Sequence, residues 1–270
     1  MKTVSILLSV FNKEKFILDT IKSIDSQVTR DKFSIELCII DDCSTDASMQ
    51  IINDYQWRNP ISLKIIRTEI NSGPATAMNI ALENSTGVYI VPHDADDLIT
   101  RLGILKRFEA LEANAQFDWV TGNELIIDIN GRVVAGSEFV KTQSWSNQEE
   151  LQDLVFGGML IPAQSIMIRR KAAFEVGWDN ELFSTQDTWI NYILTVKGYK
   201  LLKIDDYVAC YRAPAGADDT NSTHIATMKS GKKYKDFLVI RSRIYSYLTT
   251  KQMEWFDGEI EKARKRAEQI

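Results

Sequence analysis

The stretch that decides the fold is Gly87-Val88-Tyr89-Ile90-Val91-Pro92-His93-Asp94-Ala95-Asp96-Asp97. A short apolar run from Val88 to Val91 leads directly into three carboxylates. Continuous apolar runs of this length are typical of central strands covered on both faces, so the run predicts a buried strand. In open α/β sheets, ligands bind at the carboxyl ends of the strands, which is where Asp94 and Asp96 fall.

The two aspartates are suited to holding a cation. Asp94 and Asp96 are two residues apart, and on an extended backbone such side chains point to the same side. Carboxylates that share a side repel each other unless a cation lies between them. Hard oxygen ligands of this kind suit Mg²⁺ or Mn²⁺, which keep several waters and take phosphate oxygens as further ligands. The alternative is helix capping, and Asp97, just before Leu98, fits that role.

The composition excludes several classes of protein. With 270 residues, of which 44% are hydrophobic, the chain can bury one large core. Its formal net charge of −5 leaves no overall basic field to attract nucleic acid. The cysteines Cys38, Cys43 and Cys210 form no close pairs, which argues against disulfides or a zinc site and favours a reducing compartment. Without a signal peptide or an apolar stretch long enough to cross a bilayer, the sequence predicts a soluble cytoplasmic protein.

Strands and helices alternate in the first hundred residues. The predicted strands are Val4–Val10, Ile35–Ile40, Leu63–Ile66 and Val88–Val91, and the predicted helices lie over 16–24, from Ser44 to Tyr55 and through Ala77 and Ala81. This alternation implies right-handed crossovers and a mainly parallel sheet. Polar residues follow three of the strands, namely Ser9, Asp41 with Asp42, and Asp94 with Asp96. They therefore collect at one edge of the sheet, as a nucleotide site needs.

The second half of the chain has a less regular pattern. It predicts helices over 102–113, 148–155 and 188–196, strands over 118–122, 125–129, 164–168 and 199–204, and a hairpin turn at Asn130-Gly131. Residues 213–228 predict a mobile loop. Residues 229–270 predict helices that carry 11 basic and 6 acidic side chains. A solvated helix face is the usual explanation of such charge, and a membrane-surface or partner helix is the alternative.

Six short motifs occur in the order found in glycosyltransferase family 2. They are Ser9-Val10-Phe11-Asn12, Ser23-Ile24-Asp25-Ser26-Gln27, Ile40-Asp41-Asp42-Cys43-Ser44-Thr45-Asp46, Asn71-Ser72-Gly73 with Asn79, Asp94-Ala95-Asp96-Asp97, and Gln186-Asp187 with Gly198-Tyr199. Each motif alone is weak, but chance matches would have to keep both sequence and order. The chain resembles an inverting member of this family over residues 3–212. The resemblance implies the GT-A fold, an α/β fold whose Rossmann-like, mostly parallel central sheet is flanked by helices.

The resemblance also implies a division of the chain. A catalytic domain over residues 1–212 would have a nucleotide-binding half over 1–100 and an acceptor-binding half over 101–212. The mobile loop over 213–228 would then lead to a C-terminal helical extension over 229–270. This extension is a candidate for peripheral contact with the inner face of the membrane or for self-association.

A nucleotide site is implied at the strand ends. Its expected members are Ser9, Phe11, Asn12, Asp42, Gly73, Asp94, Ala95, Asp96 and Arg212. Asp42 corresponds to the family's carboxylate that accepts a hydrogen bond from the base, a directional contact that suits a pyrimidine. Its alternative role is to cap the turn at Ser44-Thr45-Asp46. Arg212 corresponds to a position that could hold the diphosphate bidentately, with a surface arginine as the alternative.

A metal site and a catalytic base are implied as well. Asp96 would bind Mn²⁺ or Mg²⁺ directly, Asp94 would contact the ribose or a metal-bound water, and His224 is a candidate third ligand. Asp187 corresponds to the base that takes the proton of the acceptor hydroxyl. The sugar and acceptor pocket is expected to include Gly157, Gly158, Trp178 and Gln186. Helix capping is the alternative for Asp187, and a plain turn is the alternative for the two glycines.

The sequence departs from the family pattern at two positions. Met78 stands where many members carry arginine before the Asn at position 79, so Arg67 or Arg212 is expected to supply the missing charge near the nucleotide. Gln186 stands where glutamate is common before the base. With one negative charge fewer beside it, Asp187 is expected to have a less elevated pKa.

Together these features predict a metal-dependent inverting transferase that moves a sugar from a UDP-sugar to a saccharide or lipid-linked saccharide. One alternative is a degenerate protein that binds a nucleotide sugar without turnover. Another is a nucleotidyltransferase, which would release pyrophosphate and usually carries a glycine-rich basic loop after the first strand. Residues 12–15, Asn-Lys-Glu-Lys, contain no such glycines.

Overall fold

The computed structural model describes residues 1–138, 145–156, 161, 163–182, 184–213 and 232–268. Its strands are β1 (Lys2–Val10), β2 (Phe33–Asp41), β3 (Ile61–Arg67), β4 (Tyr89–Asp94), β5 (Leu98–Ile99), β6 (Trp119–Ile127), β7 (Val133–Glu138), β8 (Met167–Arg169) and β9 (Leu201–Arg212). Its helices are α1 (Ile17–Asp25), α2 (Ser48–Asp54), α3 (Pro74–Asn84), α4 (Gly103–Ala113), α5 (Gln148–Val155), α6 (Arg170–Val176), α7 (Gln186–Val196), α8 (Lys232–Ile244) and α9 (Thr250–Glu268), with 3₁₀ turns at Ala163–Ser165 and Tyr245–Tyr247.

Within these ranges the strands form one sheet in the order β3-β2-β1-β4-β8-β6-β9-β5, with β7 paired to β6. The strands β3, β2, β1 and β4 are parallel, because a helix that crosses back over the sheet joins each of them to the next along the chain. Further along, β8 runs antiparallel to both β4 and β6. The mostly parallel α/β fold predicted from the first hundred residues is confirmed.

Helices cover both faces of the sheet. Alternate residues of β1 belong to different cores: Ile6 and Leu8 lie in one apolar cluster with Phe108, whereas Leu7 lies in the other with Trp119. Both faces of β1 are therefore buried, which explains its continuous apolar sequence.

The C-terminal helices belong to the second of these cores. Phe237, Ile240 and Phe256 are buried there, and the ring centroids of Phe237 and Phe256 lie 5.8 Å apart. The centroid of Phe256 is also 5.9 Å from that of Tyr192 on α7. Most of the charged side chains of α9 are exposed. None of the described helices is long and apolar enough to cross a membrane.

Some predicted boundaries were wrong. The strands expected over 118–122 and 125–129 are one strand, β6, and the strand expected over 164–168 begins with a 3₁₀ turn and becomes extended only at Met167. The helix expected from Ser44 begins at Ser48, because side chains hold the preceding turn: Asp41 accepts from the Ser44 backbone N–H and Asp46 from that of Ser48.

The last predicted strand also ends later in the structure than expected. That strand, expected over 199–204, continues to Arg212 because β9 pairs with the whole length of β6. The hairpin at Asn130-Gly131 is confirmed by the antiparallel pairing of Ile127 with Val133.

Candidate functional site

The ends of β1, β2 and β4 meet at one edge of the sheet. Ser9 pairs with Asp94 across β1 and β4, and Val10 pairs with Asp41 across β1 and β2. The Asp42 N–H donates to the Val10 carbonyl at 2.8 Å, which continues this register for one residue. Three polar strand ends that are far apart in sequence therefore lie side by side.

Asp42 fixes a neighbouring loop. Its Oδ1 accepts from Thr68 Oγ1 at 2.9 Å and from the Ser72 N–H at 2.8 Å, while its Oδ2 accepts from the Gly73 N–H at 2.8 Å. Gly73 has φ of 85°, a left-handed conformation that favours glycine, just before α3 begins. The Asp42 carboxylate thus holds the loop over residues 68–73 beside the strand ends. Its contact with the base of a nucleotide stays a prediction.

Asn12 joins the first two strand-end loops. Its φ is 52°, and its Oδ1 accepts from the Thr45 N–H at 2.8 Å while its own N–H donates to Ser44 Oγ at 3.2 Å. Phe11, one residue earlier, leaves 41% of its surface exposed at this edge. The aromatic face is therefore available to a ligand, and the amide is occupied with holding the loop.

Asp94 is oriented by a glutamine that lies 70 residues further along the chain. Gln164 Oε1 accepts from the Asp94 N–H at 3.0 Å, and Gln164 Nε2 donates to Asp94 Oδ2 at 2.7 Å. Gln164 is itself buried, and the guanidinium of Arg107 donates to its carbonyl at 3.2 Å. Removal from water, followed by the charges of Asp96 and Asp187, raises the pKa of Asp94 to about 7.

Lys13 supplies the positive charge among these carboxylates. Its ammonium forms an ion pair with the carboxylate of Asp96. Burial by itself would lower the pKa of Lys13, but the pair with Asp96 and the charges of Asp94 and Asp97 raise it overall. Lys13 is therefore a positive charge beside the carboxylates at the end of β4.

The neighbours of Asp96 are buried and structural. The Ala95 carbonyl accepts from Thr20 Oγ1 at 3.0 Å, and Asp97 Oδ1 accepts from the Arg212 N–H at 2.7 Å. Burial, with the nearby charges of Asp96 and Asp94, raises the pKa of Asp97 well above its usual range.

Arg212 is committed to main-chain oxygens. Its Nε donates to the Asp96 carbonyl at 2.8 Å, and its Nη1 donates to the Ile129 carbonyl at 2.9 Å. Its guanidinium carbon lies 5.1 Å from the ring centre of Phe16, and the side chain is only 3% exposed. These contacts hold the loop after β4, while Nη2 lies 3.5 Å from the Asp19 carboxylate and has no hydrogen-bond partner among the described residues. The bidentate contact of Arg212 with a diphosphate stays a prediction. Arg67, the other candidate, pairs with Asp41 at 3.0 Å.

Asp187 lies at the start of α7 and faces the same cleft as Asp94. One small cavity is lined by Met78, Pro92, His93, Asp94, Gln164, Trp178, Gln186, Asp187 and Ile190. Asp187 Oδ1 accepts from the Thr188 N–H at 2.7 Å, and burial raises the pKa of Asp187. Desolvation therefore elevates this pKa even though Gln186 carries no charge.

Two other pocket residues contribute to this cavity. Gln186 Oε1 is buried and has no hydrogen-bond partner among the described residues, so it can accept a hydrogen bond from a ligand. Trp178 is fixed by Asn79, whose Oδ1 accepts from the Trp178 N–H at 2.9 Å. Gly157, Gly158 and His224 lie outside the described residues, as does the predicted loop beyond Ala213.

Lys13 and Gln164 are the site residues that the sequence did not reveal. Gln164 looked like the first residue of a strand. Lys13 lies in a run of charged residues next to the first motif. The only feature of the sequence that could have indicated its role is a positive charge shortly after the end of a strand.

The donor atoms at the end of β4 fit a hard divalent cation. Within the described ranges, no group of three or more His, Cys, Asp and Glu side chains is arranged to hold a metal. The carboxylates of Asp94 and Asp96 nevertheless lie close enough to interact electrostatically, and the ammonium of Lys13 neutralises Asp96. A Mg²⁺ or Mn²⁺ ion that keeps several waters and binds substrate phosphates needs only one or two such carboxylates.

Comparison with known proteins agrees with this architecture. A family profile described as "Glycosyl transferase family 2" matches residues 5–178. An uncharacterized glycosyltransferase of Methanocaldococcus jannaschii is 26% identical over 251 residues, which are 92% of this chain and 78% of that protein. The poly(ribitol-phosphate) beta-N-acetylglucosaminyltransferase TarS of Staphylococcus aureus is 34% identical over 147 residues, which are 53% of this chain but only 24% of TarS.

Solved structures match over most of the chain. TarS residues 1–349 in complex with UDP-GlcNAc superimpose with a TM-score of 0.66 at 22% identity, covering 98% of this chain and 72% of that one. A mannosyltransferase of Pyrobaculum calidifontis in complex with GDP-Man and Mn²⁺ gives a TM-score of 0.61 at 15% identity, covering 95% and 73%. At these identities the likeness concerns the fold, whereas the profile matches the sequence itself. The chain belongs to glycosyltransferase family 2, has the GT-A fold, and is a glycosyltransferase.

Proposed function

We propose that this glycosyltransferase moves a sugar from a UDP-sugar to a hydroxyl of a saccharide or lipid-linked saccharide, with inversion at the anomeric carbon. The observation that carries the proposal is that Asp94, at the end of β4, and Asp187, at the start of α7, line one cavity. This shared cavity supports the proposal that one carboxylate serves the donor diphosphate and the other the acceptor hydroxyl.

The proposed chemistry is a single displacement. The acceptor oxygen attacks the anomeric carbon from the face opposite the phosphate while Asp187 takes the proton of its hydroxyl group. The bond between the anomeric carbon and the phosphate oxygen breaks, and UDP leaves with that electron pair. No covalent intermediate forms, so the protein needs no nucleophile. A buried carboxylate with a raised pKa is a stronger base than a solvated one and suits this role.

Asp96 and Asp94 are the residues proposed to hold Mn²⁺ or Mg²⁺. The bound ion would neutralise the charge that develops on the departing diphosphate. The Mn²⁺ in the Pyrobaculum calidifontis structure supports this proposal. Within the chain, Gln164 keeps the Asp94 carboxylate facing the cavity, and Phe11 offers an apolar surface for the base.

The choice of UDP rests on relatives. The structures of TarS contain UDP-GlcNAc or UDP, and TarS is named for transfer to poly(ribitol-phosphate). Acceptors of that kind support the proposal of a saccharide or lipid-linked acceptor. A cytoplasmic location, close to the inner face of the membrane where lipid-linked acceptors are built, fits such a donor and the three free cysteines.

The proposal is tested with a panel of UDP-sugars and Mn²⁺, scored for release of free UDP by slow hydrolysis. At least one UDP-sugar should bind and release UDP, and GDP-mannose serves as the comparison donor. Release of pyrophosphate would favour a nucleotidyltransferase, and binding without any release in the presence of saccharide acceptors would favour a degenerate protein. Failure of every UDP-sugar to bind would refute the donor assignment.

The ion pair between Lys13 and Asp96 leads to a prediction about metal affinity. Replacing Lys13 with Met should tighten Mn²⁺ binding to the nucleotide-free protein about tenfold, because the ion no longer competes with an ammonium, an effect on the order of 1–2 kcal/mol. Electron paramagnetic resonance of free Mn²⁺ measures this affinity directly. Lys15→Met, at an exposed position two residues away, is the matched control. Weaker binding by Lys13→Met would show that the lysine assists the metal instead.

A further inference from the structure

The helix α8 reaches the segment that precedes the proposed base. Asp236, which is 2% exposed, accepts three hydrogen bonds at Oδ2 from residues that the structure describes. The donors are the Ser184 N–H at 2.8 Å, Ser184 Oγ at 2.7 Å and Thr185 Oγ1 at 3.2 Å. A buried carboxylate with three donors is held firmly, since each bond to an ionised acceptor is stronger than one between neutral groups.

These bonds fix the point where α7 begins. Thr185 is the residue just before the helix, and its carbonyl accepts the first intrahelical bond, from the Trp189 N–H at 2.9 Å. The hydroxyl of Thr185 makes no capping bond of its own to the first turn. The orientation of that turn, which carries Asp187, therefore depends on how Asp236 holds the two residues in front of it.

The packing of α8 makes this anchor rigid. Phe237 and Ile240, which follow Asp236 on α8, are buried in the same apolar cluster as Ile190 and Leu194 of α7. Lys233, one turn before Asp236, places a positive charge near Asp187 that partly opposes the effect of burial on the pKa of that carboxyl. The helix α8 thus packs against α7.

We propose that α8 is part of the active site and that Asp236 is a positioning residue, which sets the placement of Asp187 against the acceptor and leaves nucleotide binding unchanged. The inference rests on the proposed function of Asp187. It also assigns residues from the C-terminal extension to the turnover step, in addition to any role at a membrane or a partner.

The test compares Asp236→Ala with Asp236→Asn in the full chain, using a UDP-sugar that the wild-type protein turns over. Asp236→Ala should lower kcat roughly 10- to 100-fold, since a displacement of about 1 Å costs on that order. The Kd for UDP with Mn²⁺ and the KM for the UDP-sugar should stay within about twofold. Asp236→Asn keeps an oxygen that can accept the same bonds and should recover most of kcat. Asp257→Asn, which breaks the ion pair with Arg241 between α8 and α9, is the control and should match the wild type.

Several results would overturn the inference. One is an unchanged kcat in folded Asp236→Ala, and another is a loss of UDP affinity in that variant in proportion to its loss of kcat. The inference would also fail if Asp236→Asn did not recover activity, or if Asp257→Asn lost as much kcat as Asp236→Ala. If Asp236→Ala does not fold, the double variant Ser184→Ala, Thr185→Val removes two of the three donors and must lower kcat in the same selective way. Wild-type protein that turns over no UDP-sugar would instead refute the proposed function, so the two failures are distinguishable.

Discussion

Asp187→Asn is expected to abolish glycosyl transfer while leaving UDP binding intact. The amide has the shape of the carboxylate but cannot take a proton, and loss of a general base costs roughly 10²- to 10⁴-fold in rate. Asp187 accepts its hydrogen bond from the adjacent Thr188 N–H, and its proposed role concerns the acceptor hydroxyl, so UDP affinity should not change. Initial rates of transfer and calorimetric titration with UDP and Mn²⁺ measure the two effects separately.

The pH dependence of the same reaction gives a second readout. A base works when deprotonated, so the rate should fall as the pH drops through the pKa of Asp187, which burial places above the usual value of 3.8. The fall in rate at low pH that protonation of Asp187 causes should be absent from the pH profile of the residual activity of Asp187→Asn. Asp205→Asn, at a side chain that is 93% exposed, is the control. Transfer at the wild-type rate by Asp187→Asn would exclude Asp187 as the base.

Asp96→Asn is expected to remove the dependence of UDP binding on divalent metal. A neutral amide is a poor ligand for Mn²⁺ or Mg²⁺, and even residues that only orient metal ligands change affinity 10- to 100-fold when replaced. The affinity of wild-type protein for UDP should therefore be roughly 10²-fold higher with Mn²⁺ than with chelator, whereas the two values should coincide in Asp96→Asn.

Fluorescence or calorimetric titration with UDP, with and without Mn²⁺, provides the comparison. Asp205→Asn again serves as the control, because it removes one carboxylate from the surface without touching the cleft. A variant in which Mn²⁺ still strengthens UDP binding to the wild-type extent would show that Asp96 is not a ligand.

The first half of the fold could be predicted because its signals are local. Strand β1 was expected over Val4–Val10 and extends over Lys2–Val10, and the other parallel strands differ from their predicted bounds by at most three residues at either end. Strands covered on both faces are apolar at most positions, and a short, mostly apolar run that ends in polar residues is easily recognised.

The second half could not be predicted as well, because distant residues decide its structure. Asn123 and Glu124 are polar and interrupt the apolar sequence of β6, so the sequence predicted two strands where the structure has one. Both are buried at the structure's core, and the charge of Arg107 on α4 partly offsets the cost of burying Glu124. Nothing in the residues around Glu124 signals a partner 17 positions earlier on another element.

The same distinction applies to the site. Asp94 and Asp187 were predicted from motifs, and the structure places both on one cavity. Their partners were not predicted, because Gln164 and Asp236 contact residues 70 and about 50 positions away in the sequence. Side chains that hold functional groups in place can be of many types and leave no recognisable pattern.

The ion pair between Lys13 and Asp96 affects whether the protein needs a metal ion to stay folded. An acidic cluster that needed a resident ion would make folding depend on metal supply, as in small zinc domains. Here a residue of the chain itself balances the charge. A chelator is therefore expected to leave the chain folded, as followed by circular dichroism, even where it stops the proposed metal-dependent transfer.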